Sequence, residues 1–230
     1  MIFAGIAKTS LVDFPGKIAT VLFTPGCNYD CFYCHNRSLI EDIDELIPSE
    51  EIEDFLTKRV GFIDGVVITG GEPTLHHDLI PYMIKLKQMG YETKLDTNGS
   101  NPDVIRDCIK EKAVDYYAVD YKAPKDRYKE ICRGESDPET VLETISVLLD
   151  ENQKFEVRTT VIPQLSLDNL ITMAEELPKV PKYILNPYKK PLRFLESDRE
   201  LIETPPYSEK DIAVFAETLK LYQPNAVLVF

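Results

Sequence analysis

Residues 18–37 read Ile-Ala-Thr-Val-Leu-Phe-Thr-Pro-Gly-Cys-Asn-Tyr-Asp-Cys-Phe-Tyr-Cys-His-Asn-Arg. The first seven are apolar or β-branched and predict a core strand over 18–24, which Pro25 and Gly26 then end. Cys27, Cys31 and Cys34 therefore fall in a loop at that strand's C-terminal end, where parallel α/β folds build their active sites. Three thiols at C-x3-C-x2-C spacing can wrap one face of a cubane, and soft sulfur ligands suit a [4Fe–4S] cluster. No fourth cysteine is local, so one iron would stay open to chelate the amino and carboxylate groups of a ligand. The alternative is a Cys3His zinc site with His35, for which the adjacency of Cys34 and His35 makes one tetrahedron hard to close.

Outward from this stretch, β-like runs at 66–69, 91–96, 116–120, 155–161 and 183–186 alternate with segments of helical period. That alternation is the pattern of βα units on a parallel sheet, either a partial barrel or an open sheet. Ser49 is expected to cap a helix with Ile52, Phe55 and Leu56 on its apolar face. Asp78 is expected to open the next helix and Gly90 to close it. Asn101-Pro102 and Asp137-Pro138 read as N-caps followed by proline at the first helical position, and Ser208 with Asp211 as a capping box. The stretch 187–207 is the longest irregular piece and is expected to lie as a loop near the site.

The 230 residues carry 39 acidic and 26 basic side chains, a formal net charge of −13. Such a surface repels phosphate backbones and argues against nucleic acid; a solvated exterior or an acidic docking face remain open. No apolar run nears the roughly 20 residues of a membrane span, and residues 1–17 lack signal-peptide features, so a cytoplasmic protein without a membrane partner is expected. Five cysteines, three within eight residues, point to metal or redox chemistry rather than a disulfide framework. Cys108, with Ile105 and Ile109, and Cys132, with Tyr128 and Ile131, read as small apolar core residues on helix faces.

C-x3-C-x2-C with an aromatic residue before the last cysteine resembles the radical S-adenosylmethionine (SAM) enzymes. The longer string Cys34-His-Asn-Arg37 is similar to the glycyl-radical-enzyme activases of that superfamily. Lys8-Thr-Ser-Leu-Val-Asp-Phe-Pro-Gly-Lys17 and the run on to Cys27 most closely resemble the activating proteins of anaerobic ribonucleoside-triphosphate reductase, a likeness that extends to Ala226-Val-Leu-Val-Phe230. The resemblance implies one domain over 1–230, a partial (β/α)6 barrel with parallel strands and a hairpin-like extension at 1–17. It also implies one three-cysteine [4Fe–4S] cluster, SAM as cofactor, a glycyl radical enzyme as partner and a flavodoxin- or ferredoxin-like electron donor.

Polar strand ends follow the same logic. Gly70-Gly71-Glu72 follows the second strand; paired glycines let backbone approach a ligand, although the string also suits an ordinary turn. It resembles the family loop that holds the methionine amino group. Asp96 and Thr97 end the third strand, ahead of an Asn98-Gly99 turn, and the resemblance turns them toward the cofactor. Asp120 and Lys122 point to one side of an extended segment, as a zwitterionic ligand or a plain ion pair would require. By resemblance they match a cofactor-binding D-x-K, and the Asp96/Asp120 region a monovalent-cation site. Arg158 sits in an otherwise apolar run and needs an anion, either the cofactor carboxylate or a structural partner. Tyr33 and His35 are implied by resemblance alone as cofactor neighbours, and Lys189 stands where pyruvate formate-lyase activases carry histidine. His76 and His77, after the glycine pair, lie either at the cavity mouth or exposed in a loop. The competing functions are a small-molecule radical SAM enzyme of the 7-carboxy-7-deazaguanine synthase kind, an activase of the pyruvate formate-lyase type, and a non-enzymatic metal or electron carrier.

Overall fold

The computed structural model describes residues 1–41 and 46–228. Val229 and Phe230, the end of the C-terminal string, lie outside the described residues. The chain forms two compact units, the first comprising Met1–Cys27, Ser38–Thr97 and Asn101–Ala118 and the second Asn28–Arg37, Asn98–Ser100 and Val119–Phe230.

In the first unit, β1 (Gly5–Ser10) pairs antiparallel with β2 (Ala19–Thr24), and β2 pairs in parallel with β3 (Gly65–Gly70). β3 continues in parallel to β4 (Glu92–Thr97). Helices α1 (Ser38–Glu41), α2 (Ser49–Arg59), α3 (Leu79–Gln88) and α4 (Pro102–Lys110) alternate with these strands. Burial explains why β2 and β3 read as continuous apolar runs: Ala19, Val21, Leu22, Val66, Val67 and Ile68 are all buried. β1 lies in the segment 1–17 for which the resemblance implies a hairpin-like extension, but no apolar run marks it, because Lys8 and Thr9 are exposed and leave it only half buried.

Strand β5 (Tyr116–Asp120) runs from the first unit into the second. The second unit then carries α5 (Tyr128–Cys132), α6 (Pro138–Asp150), β6 (Phe155–Val161), α7 (Leu167–Glu176) and β7 (Tyr183–Pro187). It ends with α8 (Arg199–Glu203), α9 (Glu209–Leu219) and the three-residue β8 (Ala226–Leu228). β6, β7 and β8 pair in parallel. The six expected strands all form, each within a residue or so of its expected bounds.

Local signals held unevenly. Ser208 and Asp211 form the reciprocal capping box, and the Asp137 carboxylate accepts from the Glu139 N–H at 3.1 Å. Ser49 does not cap α2: it is already helical, and Pro48 occupies the cap position. Asp78 and Asn101 hold their cap positions without capping, because their side chains are engaged elsewhere. The Asp78 carboxylate binds the N-terminal ammonium at 2.5 Å, and Asn101 donates to Thr74 Oγ1 at 2.8 Å. Nor is 187–207 irregular throughout, since a short turn at Glu196–Asp198 leads into α8.

Candidate active site

The cysteine loop leaves β2 at Thr24. On the first unit's side, the Gly71 N–H donates to the Thr24 carbonyl at 2.8 Å and the Glu72 N–H to the Gly26 carbonyl at 2.8 Å. A methyl group at Gly71 would overlap the Gly26 carbonyl oxygen, and one at Gly70, whose φ is +118°, would overlap the Thr24 backbone. The glycine pair is thus required by the close approach of two backbones, the strand end and the start of the cysteine loop. His76 Nε2 lies 2.9 Å from the Pro25 carbonyl and ties the same turn down.

Glu72 is fully buried. Its Oε1 accepts from the Thr74 N–H (3.1 Å), from Thr74 Oγ1 (2.6 Å) and from Thr97 Oγ1 (2.7 Å). Three donors on one oxygen leave the carboxylate locked and tie Glu72 and Thr97 across two strand ends. Asp96 pairs with Lys94, whose ammonium is 1% exposed. The sequence reading missed Lys94; the signal available was the β-strand period, since residues i and i+2 share a face.

In the second unit Asp120 accepts from Lys122 Nζ at 2.9 Å and from Arg158 Nε at 3.0 Å, one cation on each carboxylate oxygen. Burial works against the Asp120 charge, but Lys122 and then Arg158 overcome it and hold the carboxyl at about 2. The expectation that Arg158 needs an anion is met by Asp120, and the three residues make a doubly cationic, singly anionic cluster. Burial and then the Asp120 charge act in opposite senses on Lys122, with the net effect of raising its pKa well above the usual lysine value.

Cys31 is buried and Cys27 and Cys34 are partly buried. Cys132, assigned from sequence to apolar packing on a helix face, is fully buried but is hydrogen-bonded through its sulfur to Cys31. That bond, helped by the Lys122 charge against the penalty of burial, lowers the Cys31 pKa, whereas burial and Cys31 itself push Cys132 up. The backbone supports the same pairing, with the Asp30 N–H donating to the Cys132 carbonyl at 3.0 Å. Cys108 is a core residue as expected, its thiol pushed up to about 12 by burial.

Tyr33 is buried, and its pKa is driven well above the usual value by burial, with Lys122 opposing. The hydroxyls of Tyr33 and Tyr128 are buried without a hydrogen-bond partner among the described residues. Both phenols lie within electrostatic reach of Cys31 and Cys132. His35 is exposed at the loop's outer edge, hydrogen-bonded to the Lys189 backbone; partial burial lowers its pKa.

Among the described residues no three His, Cys, Asp or Glu side chains converge on a point that one metal ion could fill. A cubane instead offers a separate iron to each thiolate, so its ligands stand apart around it. The soft donors of the motif, the cationic Lys122 and Arg158 and the two orphaned phenols fit a thiolate-bound cluster with an anionic ligand beside it.

The fold and the motif define a class of iron–sulfur radical enzyme. The family model for the radical SAM superfamily matches residues 21–177, and the chain belongs to that superfamily. It is accordingly an enzyme that uses a [4Fe–4S] cluster and SAM. A Methanocaldococcus jannaschii protein provisionally named a glycyl-radical enzyme activating enzyme is 33% identical, covering 98% of this chain and 94% of its own. A second protein of that organism with the same provisional name is 32% identical over 82% of this chain and 71% of its own. Among solved structures, Streptococcus suis SuiB bound to S-adenosylmethionine superposes with a TM-score of 0.67 at 17% identity, covering 91% of this chain and 51% of that one. These likenesses show the fold, the parallel-stranded α/β architecture of radical SAM proteins. No helix among the described residues is long and apolar enough to cross a membrane.

Proposed function

We propose that this protein is a glycyl-radical-enzyme activase, and that its partner is an anaerobic ribonucleoside-triphosphate reductase. The observation that carries the activase reading is the match to the M. jannaschii relative along almost the whole of both chains. The partner is drawn from the likeness of residues 8–27 to the reductase activators, whereas residues 34–37 are shared with glycyl-radical-enzyme activases in general.

Cys27, Cys31 and Cys34 would hold the cluster. Bound there, the cluster would supply the one-electron reduction that cleaves SAM, the chemistry by which a glycine of the partner would lose its α-hydrogen. Lys122 and Arg158, set at fixed angles by Asp120, are suited to the methionine carboxylate. The backbone at Gly70 and Gly71, fixed by the Glu72 hydrogen bonds, is suited to the methionine ammonium, with Asp96 and Thr97 at the neighbouring strand end. Tyr33 and His35 flank the last ligand. The buried phenols and tyrosine-rich lining around Cys31 keep water from that side of the loop.

The test is anaerobic reconstitution with iron and sulfide, then dithionite and SAM. The expected product is 5′-deoxyadenosine, followed by a glycine-centred EPR doublet once the reductase is added. Cluster assembly without 5′-deoxyadenosine refutes the chemistry. Cleavage with no doublet on any glycyl radical enzyme, together with turnover of a small molecule, refutes the activase assignment.

A further inference from the structure

Helix α5 and the turn after it lie against the cysteine loop, and their contacts follow the loop residue by residue. The Glu135 N–H donates to the Asn28 carbonyl at 2.9 Å. The Tyr128 ring meets the Tyr29 ring edge to face, with 6.3 Å between centroids. The Asp30 N–H donates to the Cys132 carbonyl at 3.0 Å, and the Cys132 sulfur is hydrogen-bonded to the Cys31 sulfur. All of these residues lie in the second unit. The approach is close: a methyl group on Gly134 would stand 2.5 Å from the Asn28 carbonyl oxygen.

The turn is also held from its far side, where the buried Asp198 takes both guanidinium nitrogens of Arg133 at 2.7 and 2.8 Å. Cys132 is fully buried, and so are Tyr128 and Ile131 on the same short helix, so water is kept from the two sulfurs on that side. The hydroxyls of Tyr33 and Tyr128 make no hydrogen bond among the described residues. Neither phenol therefore replaces Cys31 as the partner of the Cys132 thiol.

We propose that Cys132 is a positioning residue for Cys31: its thiol donates a hydrogen bond to the Cys31 thiolate of the loaded site and raises the reduction potential of the cluster held there. The inference rests on the reading of Cys27, Cys31 and Cys34 as cluster ligands. A ligand thiolate carries no proton, so the one proton this bond needs belongs to Cys132. A hydrogen bond to a ligand sulfur stabilises the additional negative charge of the reduced state and so favours reduction. Apolar surroundings alone would act the other way, since burial disfavours added charge, and the donated bond offsets part of that penalty. The backbone bond from Asp30 to Cys132, one residue from Cys31, keeps the donor in register with the ligand.

The experiment compares the reconstituted wild type with Cys132→Ala, which removes the donor, and Cys132→Ser, which keeps one. Iron and sulfide are assayed first. Each protein is then titrated anaerobically with dithionite in the presence of redox mediators, and the reduced cluster is read by EPR. At a fixed potential the ratio of reduced to oxidised cluster in Cys132→Ala should be lower than in the wild type by about threefold to tenfold, as loss of one hydrogen bond predicts. Cys132→Ser should return to within about twofold of the wild type. Equal ratios in all three proteins overturn the proposal. So do equal shifts in the alanine and serine variants, because packing and not a donated proton would then be at work. Should Cys132→Ala hold too little iron to titrate, cluster content decides: wild-type iron in Cys132→Ser supports the donor, and equal loss in both variants overturns it. A wild type that assembles no [4Fe–4S] cluster overturns the ligand reading and the proposal together, whereas the other outcomes leave the ligand reading standing.

Discussion

Replacing Asp120 with asparagine preserves size and removes the charge that Lys122 and Arg158 share. The carboxyl is held at about 2 against its ordinary 3.8, which corresponds to about 2.4 kcal/mol of folding stability at neutral pH. The Asp120 side chain is 30% exposed, so solvent screening reduces the expectation to about 1–2 kcal/mol. The sign follows from the direction: a carboxyl with a depressed folded pKa stabilises above its unfolded value, and that stability is lost as pH falls from 3.8 toward 2. Asp120→Asn should therefore be less stable than the wild type by a constant amount between about pH 5 and pH 8, the gap closing below about pH 4. Urea unfolding under anaerobic conditions, followed by circular dichroism at several pH values, measures it. A gap under about 0.5 kcal/mol at pH 7, or one that changes between pH 5 and 8, would show that the two cations do not hold Asp120 as described.

Gly71→Ala should cost about 2 kcal/mol or more in urea unfolding and lower the iron bound on reconstitution, because the added methyl displaces Gly26 beside Cys27; wild-type stability and iron content would refute the close-approach account. Cys108→Ala should leave cluster content and SAM cleavage unchanged, and the native Cys108 thiol, held at about 12, should resist alkylation at pH 8 until the protein is unfolded. Rapid labelling of Cys108 in the folded protein would contradict its burial. Lys94→Met leaves the Asp96 carboxylate without its buried ammonium and should destabilise the chain by about 3 kcal/mol; a loss under 1 kcal/mol in urea unfolding would mean that Asp96 finds its balance elsewhere.

Much of the fold was legible because burial on both faces turns a parallel strand into a continuous apolar run. The runs 18–24, 66–69, 91–96, 116–120, 155–161 and 183–186 mark β2 to β7. The edge strand β1, with the adjacent Lys8 and Thr9 both exposed, and the three-residue β8 carry no such signal. Helix starts were read correctly where the side chain had no competing partner, as at Asp137 and Ser208. At Asp78 the start is also where it was expected, but the side chain does not cap it, because the N-terminal ammonium claims the carboxylate.

The sequence by itself determined the candidate donor set: Cys27, Cys31 and Cys34 share one loop because their spacing is covalent, and Asp120 and Lys122 share one side because a strand repeats every two residues. It also marked Arg158 as a charge in need of an anion. Only the tertiary structure decided what meets these groups. Arg158 comes from 38 residues away to share Asp120 with Lys122, and Thr97 from 25 residues away to fix Glu72. Cys132, which local period assigns to a helix face, ends against Cys31. The Gly70-Gly71 pair, readable as a turn or a ligand loop, answers to the backbone of Thr24 and Gly26. The physical reason is the same in each case. Local pattern sets which way a side chain points, whereas the partner that satisfies a buried charge, thiol or amide is fixed only when packing brings remote segments together and removes water from between them.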